Sequence, residues 1–353
     1  MKILLVTDLY PISDDEIKTP VVLFDFVREW KKSGIDVDVL KPNFLLNSFI
    51  RHKKFYRTGI FNDVYNVNYF TPFLGNVKNK IPNYNYDYDV IVAHMPSGII
   101  FANKLQGKLI CAVHNSDIEV LTNPLYRIYF KKQMEIGYKK SIGIACRSEV
   151  LKNKFLELYP QYENKVFLIP SGIDFKPLLR EKNNRTKIVT CANLIKRKNI
   201  DKLIFAVNDM ADMELTVIGS GKELTYLKKI SNKNIKFTGY LNHEKVIDIF
   251  KQSDIFILPS VHETFGMVYL EAMASGCITV CTKNDGIDGI IKDNYNGFLI
   301  EPNTISIKSL IDKIRNTDDI EMKILLQNCY NTVKNYSLAN CADSYLKNIL
   351  EFM

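Results

Sequence analysis

Apolar positions along this chain gather into short unbroken runs separated by amphipathic stretches, a pattern that predicts strands and helices in alternation. In the first half, strands are expected at Lys2–Thr7, Asp36–Leu40, Val90–Ala93, Lys108–Val113, Ile142–Cys146 and Val166–Ile169. Val22, Phe26 and Trp30 recur at helical spacing within Val21–Ser33, and a small helix is expected at Gly98–Leu105. A second series follows, with strands at Ile188–Cys191, Leu215–Ile218, Ile235–Phe237, Ile255–Leu258, Ile278–Cys281 and Gly297–Leu299. Helices at Ile305–Arg315, Ile320–Asn335 and Ala339–Phe352 close the chain. All-apolar strands interleaved with helices mark parallel sheets covered on both faces. The expected class is α/β, and 353 residues suffice for two such domains, each with its own core.

The stretch Asp254–Gly276 carries the clearest chemistry. Pro259 and Ser260 end a buried strand, a tight loop holds Glu263, Phe265 and Gly266, and a short helix bears Glu271. Gly276 is the expected residue just past that helix. This order sets a helix N-terminus, with its free amides and partial positive charge, at the carboxyl edge of a parallel sheet. Such a place suits a phosphate. The two flanking carboxylates suit sugar hydroxyls instead.

His262–Gly276, HETFGMVYLEAMASG, resembles the Glu-x7-Glu motif of the retaining group 1 glycosyltransferases, glycosyltransferase family 4. The resemblance implies the GT-B architecture, two Rossmann-like domains whose parallel sheets face each other across a cleft. It also implies transfer of a sugar from a nucleotide-diphosphate donor with retention at the anomeric carbon. In the family's pattern Glu271 falls on the glutamate that binds ribose and Glu263 on the glutamate beside the donor sugar. The amides of Phe265, Gly266, Met267 and Val268 would line the same pocket. Gly266 is expected to be glycine because backbone approaches the ligand there. Cys191–Asp201, CANLIKRKNID, resembles the segment whose lysine contacts the diphosphate, which is Lys198 here. The family's usual arginine is replaced by Asn193, so Lys196 or Arg197 is expected to compensate, or Lys198 and the helix near Met267 carry more of the load.

Gly219-Ser220-Gly221 resembles the Gly-x-Gly that follows the next strand, and Phe237–Leu241 resembles a wall of the base pocket. His114, in HNSD with Asp117, resembles the family's His-Gly-x-Asp, which implies that His114 reaches the donor sugar. His94 follows a similar strand and reads as structural. The first loop has Ile17-Lys18-Thr19-Pro20 where the family has a glycine pair, so Lys18 and Thr19 are expected at the phosphates or acceptor. The resemblance assigns 1–170 to an acceptor-binding domain, 171–187 to a linker and 188–335 to the nucleotide-sugar domain. A final helix, 336–353, would cross back to the first domain.

Composition narrows the setting. Seven cysteines are scattered singly, without the spacing of a metal site, which points to reduced thiols and the cytoplasm. The N-terminus reads as a strand rather than a leader, and no run reaches bilayer length. There are 23 basic against 17 acidic residues over 1–170, and 24 against 22 over 171–353. A basic first half can meet a phosphorylated acceptor or anionic lipid, and no nucleic-acid motif accompanies it. Phe44–Phe61 and Tyr126–Lys140 mix cations with aromatic and leucine side chains. Each reads either as a face lying on an anionic leaflet or as an ordinary helix with a core side. Asp36-Val37-Asp38 and Asp87-Tyr88-Asp89 have the form of metal–diphosphate pairs of another glycosyltransferase architecture, but their positions in or before strands favour solvent-side or strand-edge acids. No metal and no cofactor is expected, the nucleotide sugar being a substrate.

The leading expectation is a metal-independent hexosyltransferase. It would move a hexose or N-acetylhexosamine from a UDP-sugar to a glycan or polyprenyl-linked acceptor, in polysaccharide, lipopolysaccharide or glycolipid synthesis at the inner membrane face. A nucleotide-sugar 2-epimerase on the same fold and a catalytically silent partner subunit are the alternatives.

Overall fold

A computed structural model describes residues 1–11, 22–44, 64–69, 87–126, 130–180 and 185–353. The chain divides into two compact units: Met1–Arg147 with Leu151–Pro170 and Leu338–Met353, and Ser171–Ser337 with Ser148–Val150.

The first unit is built on a seven-stranded parallel sheet, β1 (Lys2–Val6), β2 (Asp36–Phe44), β3 (Val64–Tyr69), β4 (Val90–His94), β5 (Leu109–Val113), β6 (Gly143–Cys146) and β7 (Val166–Leu168). Its strand order is β3-β2-β1-β4-β5-β6-β7. Helices α1 (Val22–Lys32), α2 (Met95–Ala102), α3 (Asn115–Thr122), α4 (Lys132–Lys140) and α5 (Glu149–Leu158) connect the strands. The second unit has a six-stranded parallel sheet, β8 (Lys187–Cys191), β9 (Glu214–Ile218), β10 (Ile235–Gly239), β11 (Ile255–Leu258), β12 (Ile278–Thr282) and β13 (Phe298–Ile300). Its order is β10-β9-β8-β11-β12-β13. Between these strands run α6 (Ile200–Asn208), α7 (Leu224–Ile230), α8 (His243–Gln252) and α9 (Met267–Ala274), and α10 (Thr304–Asn316) and α11 (Asp319–Lys334) follow.

The central strands β4, β5, β11 and β12 are buried along their whole length, which is why they read as unbroken apolar runs. Strand β3 has no such run. It pairs with β2 alone at the sheet edge, and its sequence VYNVNY mixes polar and apolar positions, so the apolar pattern does not reveal it. Helix α2 begins at Met95, earlier than the expected Gly98, because Pro96 occupies the first turn, where its missing N–H costs nothing.

The last helix, α12 (Leu338–Glu351), belongs to the first unit and packs on α1. The indole of Trp30 donates to the Ala342 carbonyl at 2.8 Å, and Phe26 and Trp30 meet Tyr345 edge-on. Residues Ser171–Arg180 lie with the second unit, where the Leu178 amide donates to the Ala274 carbonyl at 2.7 Å.

Of the acids expected at the solvent side or strand edge, Asp89 is exposed just before β4 and Asp38 lies elsewhere. Asp38 is buried and accepts from the Tyr88 hydroxyl, with Lys2 at 3.7 Å, because β2 is covered on that face. Asp89 accepts from the Lys2 backbone amide at 2.7 Å and so holds the start of β1. Within the Tyr126–Lys140 stretch, α4 turns Met134, Gly137 and Tyr138 into the core, and residues 127–129 lie outside the described residues. Of Phe44–Phe61, all but Phe44 lies outside the described residues. No helix among the described residues is long and apolar enough to cross a membrane.

Candidate active site

In the second sheet the strand order reverses at β8, whose neighbours are β9 on one side and β11 on the other. Loops leaving β8 and β11 at their carboxyl ends diverge there, the place where open α/β sheets leave a crevice. Lys198 comes from the first loop and Glu263 from the second. The β8 loop ends in a 3₁₀ turn, Lys196–Lys198, and Asn199 adopts the left-handed conformation before α6 begins. Asn199 also ties the two loops together, its side-chain amide donating to the Pro259 carbonyl at 2.9 Å.

Lys198 is buried, and its ammonium donates to Glu263 Oε1. Arg197 Nη1 reaches the same oxygen at 3.1 Å, and the wholly buried Ser260 donates its hydroxyl to it as well. Oε1 therefore collects three donors, while Oε2 meets none among the described residues. Burial alone would raise the Glu263 pKa, but Lys198, Ser260 and Arg197 outweigh it and hold the carboxyl below its usual range. Arg197 is thus engaged with Glu263 and with the Val261 carbonyl at 3.3 Å. That engagement leaves Lys196, which is exposed, as the cation of this loop without such a contact to Glu263.

The loop after Glu263 turns sharply into α9. Gly266 sits at φ +86°, and a Cβ there would come within 2.6 Å of the Tyr269 ring. Its glycine is therefore required by the left-handed turn and by Tyr269, whose hydroxyl donates to the Leu258 carbonyl at 2.8 Å. Close approach of a ligand is not needed to explain it. Phe265 is buried in the core beneath, and Met267 and Val268 pack partly against that core. At the N-terminus of α9 the Tyr269 amide donates to the Gly266 carbonyl at 3.1 Å, which leaves the Met267 and Val268 amides as the ones without a carbonyl one turn earlier in the helix.

Glu271 follows Met267 by one helical turn, so both stand on one face. One of its oxygens lies 3.2 Å from His243 Nε2, at the start of α8. That contact raises the His243 pKa above its ordinary value. Glu271 also adds to burial in pushing the Cys191 thiol up to about 12, which places it by the end of β8. Sequence reasoning missed His243, since a lone histidine opening an amphipathic helix carries no pattern.

Asn193 is exposed in the β8 loop, and Gly219 and Gly221 pack against that loop. A Cβ on Gly219 would fall 1.9 Å from the Ala192 carbonyl oxygen, and one on Gly221 would fall 2.3 Å from that of Leu194. These glycines let two loops interlock, with the Leu194 amide donating to the Ser220 carbonyl at 2.9 Å.

His114 lies in the first unit, after β5, and is described with that unit alone. Its backbone amide donates to Asp117 at 2.8 Å, and its Nε2 lies 3.1 Å from His94 Nδ1. His94 Nε2 in turn lies 3.0 Å from the Tyr345 hydroxyl on α12. His94 is fully buried, in keeping with its structural reading. Burial, helped by the nearby Arg147 cation, pushes His114 down to about 3, so its ring is neutral. Lys18 and Thr19 lie outside the described residues. Among the described residues no group of three or more His, Cys, Asp and Glu side chains could hold a metal ion.

Two family models match this chain: that of the glycosyl transferases group 1 over residues 174–334, and that of glycosyltransferase family 4 over 20–176. The chain belongs to the group 1 glycosyltransferases. The first of these matches contains the Lys198–Glu263 cluster and Glu271. An uncharacterized glycosyltransferase of Methanocaldococcus jannaschii is 29% identical over 263 residues, covering 72% of each chain. The UDP-Gal:alpha-D-GlcNAc-diphosphoundecaprenol alpha-1,3-galactosyltransferase of Escherichia coli is 26% identical over 280 residues, covering 70% of this chain and 71% of its own. Among solved structures, Anabaena Alr3699/HepE in complex with UDP superposes with a TM-score of 0.74 at 15% identity, over 99% of this chain and all of the other. That likeness gives the group 1 transferase the GT-B fold.

Proposed function

We propose that this group 1 glycosyltransferase moves a hexose or N-acetylhexosamine from a UDP-sugar to a glycan or polyprenyl-linked acceptor in surface polysaccharide or glycolipid synthesis. The acid–base cluster at the switch point supports the reading most directly. Lys198 and Arg197 gather positive charge at one oxygen of a carboxylate whose second oxygen meets no donor among the described residues, four positions before the start of α9. A departing diphosphate gains negative charge as the glycosidic bond breaks, and preorganised cations and amides then stabilise it more than they stabilise the bound donor. In this reading Lys198 and the first amides of α9 take that charge, so no metal ion is required for it. Glu263 Oε2 accepts a sugar hydroxyl, and Glu271 accepts from the ribose. Asn193 donates to the diphosphate from the β8 loop, beside Gly219. The assignment of His114 to the donor sugar rests on its motif.

Retention follows in the proposal from front-face departure and attack, with the leaving phosphate taking the acceptor proton. The relative's diphosphoundecaprenol acceptor supports a lipid-linked acceptor here, met from the cytoplasmic side. Incubation with UDP-glucose, UDP-galactose, UDP-N-acetylglucosamine and GDP-mannose, with and without acceptor lipid, tests the donor. Proton NMR of the product reads the anomeric configuration. Turnover of none of these donors, or an inverted product, overturns the reading.

A further inference from the structure

Asp285 is a buried carboxylate outside every motif that resembles the family, in the loop after β12. One oxygen accepts from the His262 backbone amide, and the other accepts from the Glu263 amide at 2.7 Å. His262 is in the left-handed region at φ +61°, a conformation that costs a non-glycine residue free energy unless its surroundings hold it. The two bonds grip the backbone on either side of that strained peptide. Gly286 completes the contact, for a Cβ at its φ of +50° would lie 2.8 Å from Glu263 Cβ and 3.2 Å from the Phe265 carbonyl oxygen. The Asp285 loop is itself braced. The Asn284 amide donates to Asp288 at 2.6 Å, and the Asp288 amide donates to the Asp285 carbonyl at 3.0 Å.

A buried carboxylate is costly unless it is well bonded, and Asp285 spends its two oxygens on the backbone of the residue that carries the proposed chemistry. We infer that Asp285, with Gly286 packed against Glu263, is a positioning residue that fixes the Glu263 backbone and so the direction of its carboxylate. The inference rests on the reading of Glu263 as the group that meets the donor sugar. Lys198, Arg197 and Ser260 fix one carboxylate oxygen, and Asp285 fixes the main chain beneath it. Together they leave Oε2 one direction in which to accept.

The test compares Asp285→Asn, Glu263→Gln and the double variant, using whichever UDP-hexose the wild-type enzyme hydrolyses fastest and bare UDP as the binding probe. An asparagine at 285 keeps the volume but turns one acceptor into a donor facing a donor. The expected result is a fall of tenfold or more in kcat/KM for the UDP-hexose, with UDP affinity within about twofold of wild type. Adding D285N to E263Q is expected to cost nothing further. Wild-type turnover in D285N beside an impaired E263Q overturns the inference and leaves the reading of Glu263 standing. Equal losses of UDP binding and turnover, or single losses that multiply in the double variant, overturn it too. A silent E263Q removes the reading of Glu263 and the inference with it. Should D285N fail to fold, Gly286→Ala presses on Glu263 from the adjacent position and is read the same way.

Discussion

His243 Nε2 stands 3.2 Å from a Glu271 oxygen, joining the start of α8 to the first turns of α9. Glu271, with Glu244 adding to its effect, raises the His243 pKa above its ordinary value of about 6.5. A raised basic pKa stabilises the folded state below the unfolded value, and that contribution is lost as pH rises through the raised one. Donor binding runs the other way. As pH falls through the raised value, the imidazolium competes with ribose hydroxyls for Glu271. KM for the donor is therefore expected to rise on acidification, and His243→Gln is expected to flatten that limb. Donor KM measured between pH 5.5 and 8.5 in both proteins decides this.

Lys198 and Glu263 form a largely buried pair, with side chains 11% and 13% exposed. Removing one partner of such a pair leaves a buried charge and typically costs about 3–5 kcal/mol. Arg197 and Ser260 remain on Glu263, so Lys198→Ala is expected to fall at the low end of that range. Its turnover is expected to drop at least a hundredfold, which Lys198→Arg restores in part. Urea denaturation and single-turnover donor hydrolysis read the two effects separately.

Tyr345 reaches His114 through His94, across 3.0 and 3.1 Å contacts. Tyr345→Phe strips a fully buried His94 nitrogen of its partner, and an unsatisfied buried group costs about 1–3 kcal/mol. The variant is expected to melt lower by several degrees, and the His94 and His114 ring nitrogen signals are expected to shift in histidine-labelled protein. Unchanged ring signals would show that the contacts do not couple.

Gly219→Ala is expected to be among the most damaging single-methyl additions in the second unit. The Ala192 carbonyl stands 1.9 Å from the new atom, at a φ of +129° that L residues rarely adopt. Gly239, at φ +73° with open space around it, is the control, where Ala is expected to cost only the backbone strain of about 1–2 kcal/mol. Thermal denaturation of the two variants separates packing from strain.

The α/β class and most strands were legible in the chain because buried parallel strands must be apolar on both faces, and β11 and β12 are. The Glu263–Glu271 spacing was legible for a related reason: a strand, a tight turn and a helix are local structure, written in consecutive residues. Gly276, at φ +79° after α9, was legible in the same way. Strand β3 was not, since an edge strand with a single neighbour need not be apolar throughout.

What only the tertiary structure decided is which side chains share a partner. Arg197 was one of two cations expected to stand in for a missing arginine, and Ser260 only the end of a strand, until folding brought both to one oxygen of Glu263. Asp285, His243 and Tyr345 acquire their contacts across 22, 28 and 251 positions of chain. Local pattern records the burial and backbone form of each segment, because these are set by its own side chains. Hydrogen bonds and ion pairs between distant segments depend on how the sheet orders its strands, and no run of neighbouring residues encodes that order.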